Sequence, residues 1–94
     1  MGLSIDVIKN GSKGQPESFS RDKLHASIVA VCLGVYTPEA QAEATAHTVC
    51  DAVIIWLQQH PEVTNHDIRT ITAKHLKKYH PEAAYLYEQR YIII

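Results

Sequence analysis

The chain has 94 residues, 46% of them apolar and 20% charged, and a net charge of −1. That is enough for one small domain with a single core and too little for two lobes. The near-neutral balance argues against a domain living on nucleic-acid phosphates, and no apolar run reaches the roughly 18 residues of a membrane span.

In chain order, residues 1–4 read as a loose terminus. Ile5-Asp6-Val7-Ile8 is a short apolar strand that runs into Lys9. The turn-rich passage Asn10-Gly11-Ser12-Lys13-Gly14-Gln15-Pro16 follows, and Asn-Gly between strand-like runs is a strong hairpin signal. A two-stranded hairpin over residues 4–20 is therefore expected, with a wide connection rather than a tight turn. Ser20 is a good N-cap for a first helix. Leu24, Ile28, Val31, Cys32 and Val35 recur at helical spacing, so that helix is predicted to run to about Leu33, with Gly34 as its stop.

Thr37-Pro38-Glu39 marks the next start, with a capping hydroxyl, proline at the first helical position and a first-turn carboxylate. Ala42, Ala46, Val49, Cys50, Val53 and Leu57 line one face of this second helix. Predicted from Pro38 to about Gln59, it would span roughly 33 Å. His60-Pro61-Glu62 breaks it. Thr64-Asn65-His66-Asp67 fits a capping-box start, and Ile68, Ile71, Thr72, His75, Leu76 and Tyr79 mark the buried face of a third helix. After His80-Pro81-Glu82, a fourth helix rich in tyrosine is predicted from Ala83 to about Ile92. The fold class expected is mainly α (α+β), a four-helix bundle over residues 21–93 capped by the N-terminal two-stranded β-hairpin, all in one domain spanning 1–94.

Cys32 and Cys50 form no Cys-x-x-Cys pair and lie in apolar helical patterns, so free, buried thiols are expected. The opening apolar segment is too short for a signal peptide, and a cytoplasmic protein is the expectation. The six histidines make no metal signature, and His75 on an apolar face reads as a core residue. No nucleophile comes with a base and an orienting group. Gly11 and Gly14 lack the Gly-Lys-Ser/Thr ending of a P-loop. No enzyme activity is expected.

Val7-Ile8-Lys9 with Asn10-Gly11, then Glu17 and Phe19, then Asp22-Lys23-Leu24, resembles the opening of an ATP-cone domain. This is the regulatory nucleotide-binding module of ribonucleotide reductase large subunits and of the bacterial repressor of their genes. Val63-Thr64 before Asp67-Ile68, and Ala84-Tyr85-Leu86 in the last helix, resemble later parts of the family. The resemblance implies an allosteric domain that binds ATP or dATP, with or without Mg2+, and acts on ribonucleotide reductase, another protein partner or a further copy of itself. From charge and hydropathy, no direct nucleic-acid or membrane contact is expected.

Carried onto this sequence, the resemblance makes Lys9 and Lys23 the phosphate ligands. A helix N-terminus between them would add unpaired N–H groups and the positive dipole end. Glu17 would accept hydrogen bonds from a base amino group or ribose hydroxyl. Ser20 stands where the family often has Asp or Asn. Val7, Ile8 and Leu24 would bracket the adenine, although each reads equally well as a core residue. Asn10, Asn65 and Arg69 complete the candidate set. The arginine that follows the family's lysine is missing from Lys9-Asn10-Gly11, the connection to the helix is longer, and Lys13 is the nearest replacement charge. A protein-interaction helical domain with a degenerate nucleotide site is the alternative. A third option, DNA binding through Lys74, Lys77 and Lys78, is disfavoured by the overall charge.

Overall fold

The computed structural model describes residues 6–8, 16–60 and 62–89. Within them the chain forms β1 (Asp6–Ile8), β2 (Pro16–Ser18), α1 (Arg21–Gly34), α2 (Glu39–Gln58), β3 (Glu62–Thr64), α3 (Asn65–Tyr79) and α4 (Pro81–Gln89). The expected mostly helical character and the four helices are observed. The residues joining β1 to β2, and residues 90–94 at the predicted end of the last helix, lie outside the described part.

The helices pack in a ring, α1 on α2, α2 on α3, α3 on α4 and α4 back on α1. Each turns its apolar stripe inward. On α2 the buried residues are Ala42, Ala46, Val49, Cys50, Val53 and Leu57, the six expected from spacing. α1 contributes Leu24, Ile28, Val31 and Cys32, and α4 contributes Ala83, Ala84 and Tyr87. On α3, Ile68, Ile71, Thr72 and Leu76 are buried as expected, but Tyr79 is 56% exposed and Ala73 takes a buried place. Tyr79 is the last residue of its helix, where the stripe has passed the end of the core. Polar contacts seam α1 to α2: Arg21 reaches Asp51 at 2.9 Å, and His25 reaches Glu43 at 2.7 Å.

Two helix ends differ from expectation. The α1 helix continues through Gly34, and its left-handed residue is Tyr36, with φ of 64°. Tyr36 N–H donates to the Leu33 carbonyl at 3.0 Å and Thr37 N–H to the Cys32 carbonyl at 3.0 Å. These two bonds form a complete Schellman turn, normally built on glycine. Gly34 serves a different purpose, since a β-carbon there would lie 3.0 Å from Leu86 Cδ2, where α1 and α4 approach each other. At the start of α2 the Thr37 hydroxyl does not cap the helix. It bonds His80 Nε2 at 2.7 Å and ties the α1–α2 turn to the α3–α4 junction.

Tyr36 is 95% exposed, so its side chain gains nothing from packing that would offset its backbone strain. Tyr36→Gly is expected to raise stability by about 0.5–1 kcal/mol, after the greater freedom of an unfolded glycine is counted. An unchanged or lower denaturant midpoint would contradict this.

The sheet has the order β2-β1-β3. β1 pairs antiparallel with β2, Val7 opposite Glu17, and parallel with β3, Ile8 opposite Thr64. The third strand was not expected. Glu62–Thr64 reads in sequence only as a lead-in to α3, because three residues are too few to show an alternating pattern. Val63 is buried and anchors the strand to the core.

Candidate functional site

The best-defined part of the candidate set is the start of α1. Ser20 adopts an extended backbone, and its Oγ accepts the Lys23 N–H at 3.3 Å, as expected of an N-cap. That bond satisfies one of the otherwise unpaired first-turn donors. Lys23 is exposed and makes no ion pair among the described residues. Arg21, the neighbouring cation, is committed to Asp51 and also lies 3.3 Å from His47 Nδ1. Among the described residues, Lys23 is therefore a cation at this terminus available to an incoming anion.

The start of α3 is the second well-defined part. Thr64 Oγ1 accepts the Asp67 N–H at 3.1 Å, and Asp67 Oδ2 accepts the Thr64 N–H at 3.0 Å, which closes the predicted capping box. Asn65 follows immediately and is half-buried. Its Oδ1 is buried with no hydrogen-bond partner among the described residues. A buried carbonyl oxygen without a donor costs about 1–3 kcal/mol, so this atom is suited to accept an N–H or O–H from a ligand. Arg69, one turn on, lines a small open cleft of about 300 Å³ with His66, Thr70 and Glu88. His66 and Glu88 were not singled out from sequence. Only the three- and four-residue spacing of His66, Arg69 and Thr70 hints at a shared stripe.

The strand register relates these two parts. Ser18 lies beside Asp6, so α1 begins just beyond the Asp6 end of β1. Thr64 lies beside Ile8, so α3 begins at the Ile8 end. The two helix starts thus flank opposite ends of a strand about 7 Å long. Val7, Ile8 and Glu17 occupy the register between them. A site using all of these residues would run along β1 rather than gather at one helix terminus.

Leu24 departs from expectation. Its side chain is fully buried in the helical core and offers no surface to a base in this conformation. Of its two readings, the core one holds. Lys9 and Asn10 lie outside the described residues.

Burial also shifts three groups outside this set. Burial pushes the Cys32 thiol up and raises Cys50 to about 11, both free and buried as expected. Burial holds His75 below its ordinary value, and the nearby Lys78 and Lys74 act in the same direction. Among the described residues no group of three or more His, Cys, Asp or Glu could hold a metal ion, and no helix is long and apolar enough to cross a membrane.

Comparison of the chain with protein-family models, with curated proteins and with solved structures finds no match in any of the three.

Proposed function

We propose that this chain is an allosteric regulatory domain that binds ATP or dATP without consuming it, linked to ribonucleotide reductase or to its control. The observation that carries the reading is the parallel pairing of residues 6–8 with 62–64. Two segments that separately resemble the ATP-cone family, more than fifty residues apart in sequence, lie side by side. Asn65, with its unpartnered Oδ1, follows directly on one of them. In this reading residues 4–20 form a hairpin lid over the helical bundle, and the nucleotide lies along β1. Lys9 and Lys23 bind phosphate, Glu17 and Asn65 meet the base or sugar, and Ser20 and Arg69 flank them. A regulatory response further requires that the nucleotide bind two arrangements of the module with different affinity.

Calorimetric titration with ATP and dATP tests the reading. Saturable binding is expected. Lys9→Ala and Lys23→Ala are each expected to weaken it by about 1.5–3 kcal/mol, the loss of a hydrogen bond to a charged group, or about 10- to 150-fold. Affinity unchanged in both variants would remove the proposed ligands. Absence of binding at millimolar concentration of either nucleotide would leave the protein-interaction reading, which the missing arginine after Lys9 favours.

A further inference from the structure

Two buried side-chain oxygens meet no hydrogen-bond partner among the described residues, and both belong to α3: Asn65 Oδ1 and Thr72 Oγ1. Two helical turns separate them, so they lie on one side of the helix. Asn65 is the first residue of α3 and part of the candidate site, whereas Thr72 is fully buried in the core. A threonine inside a helix commonly satisfies its hydroxyl by donating to a carbonyl one turn back. Thr72 makes no such bond. An unbonded hydroxyl in a core is costly, so its persistence calls for a reason.

The surroundings of Thr72 supply one. Ser27 Oγ on α1 donates its hydrogen to the Leu24 carbonyl at 2.7 Å. The Tyr87 hydroxyl on α4 therefore donates to Ser27 Oγ, 3.1 Å away, and keeps its own lone pairs for another donor. Thr72 is a neighbour that acts on this hydroxyl, yet the bond between them is open. Closing it would complete a directional run from Thr72 to Tyr87 to Ser27 to the Leu24 carbonyl. Every oxygen along it would then give one hydrogen and accept the one before. The run would join α3 through α4 to α1, whose first turn carries Lys23.

We propose that α3 has a second position, favoured by bound nucleotide, in which Thr72 Oγ1 donates to the Tyr87 hydroxyl oxygen. The inference rests on the nucleotide reading and names the movement by which that site acts on the bundle. A donor group of the ligand meets Asn65 Oδ1 at the start of α3. The helix shifts by about 1–2 Å, the scale of helix movements in such transitions, and the open bond closes two turns further on. Both oxygens are unmet without ligand and both are satisfied with it. The nucleotide thus binds the closed arrangement more tightly, which is the differential affinity that a regulatory domain needs.

Thr72→Val keeps the shape of the side chain and removes the hydroxyl, so its effects on stability and on binding should have opposite signs. Without nucleotide, the denaturant midpoint should rise, because a methyl group replaces an unmet hydroxyl. ATP affinity by calorimetry should fall about tenfold, because binding no longer gains the bond. Tyr87→Phe removes the accepting oxygen and should weaken ATP binding by a similar factor, while the double variant loses no more than either single one. A hydroxyl with a purely structural role would lower the midpoint when removed and leave affinity unchanged. A lower midpoint in Thr72→Val overturns the proposal, as do losses of affinity that add in the double variant. Wild-type protein that binds neither ATP nor dATP at millimolar concentration overturns the nucleotide reading and this inference together. Nucleotide binding that is indifferent to Thr72→Val overturns the inference alone.

Discussion

Tyr87→Ala is expected to lower the unfolding free energy by about 3–5 kcal/mol, the cost of deleting a buried aromatic and leaving a cavity. A domain of this size has about 5–15 kcal/mol in total, so the variant should be close to unfolded. Tyr87 is the largest of the fully buried side chains and lies where α4 meets α1. Its hydroxyl is partnered in a definite direction. Ser27 Oγ donates its one hydrogen to the Leu24 carbonyl at 2.7 Å. The Tyr87 hydroxyl therefore donates to Ser27 Oγ, 3.1 Å away. Tyr87→Phe keeps the ring and removes the hydroxyl, with its bond to Ser27 and its interaction with the neighbouring Thr72, so its expected cost is about 1–2 kcal/mol. The two variants, compared by denaturant unfolding, separate packing from hydrogen bonding. A Phe variant as unstable as the Ala variant would mean that the hydroxyl network, not the ring, holds α4 in place.

How much of this was legible in sequence depended on the length of each element. The buried face of α2 could be read in full, because a 20-residue helix repeats its stripe often enough to leave one solution. Ser20 and the Thr64–Asp67 pair were legible for a different reason. A cap is local chemistry, settled by a side chain and a backbone group three residues apart. β3 was not legible, since its three residues owe their extended form to β1, a partner far away in sequence. Gly34 misled because glycine has two uses, a left-handed turn and a close approach, and only the position of Leu86 decides between them. Leu24 was ambiguous for a similar reason. An apolar residue in the first turn of a helix looks the same whether it faces a base or the core. The unpartnered Asn65 oxygen was equally invisible, because an unmet hydrogen bond is a property of the surroundings rather than of the residue.

Raising the pH above 9 is expected to remove stability in two overlapping steps. Burial raises the Cys50 thiol from its ordinary 9.0 to about 11, with Arg21 pulling it back and Asp51 adding to the rise. Burial also raises the Tyr87 hydroxyl from 10.0 to about 12, with the Ser27 hydrogen bond pulling back. In both cases the folded chain keeps a proton that the unfolded chain releases at its ordinary value. The stabilisation is complete below the unfolded pKa and disappears as the pH climbs through the folded one. Cys50 thus acts between about pH 9 and 11, and Tyr87 between about 10 and 12. Each raised pKa therefore removes stability on the order of a few kcal/mol as the pH climbs through it. Cys32, raised in the same direction by burial, steepens the lower step. Denaturant midpoints measured from pH 9 upward should therefore fall steeply in the wild type. Tyr87→Phe should flatten the decline above pH 10, and Cys50→Ala should flatten it below pH 11, whatever each variant costs at neutral pH. Curves that run parallel to the wild type across this range would mean that both groups deprotonate as readily in the folded core as in water, against the burial that defines that core.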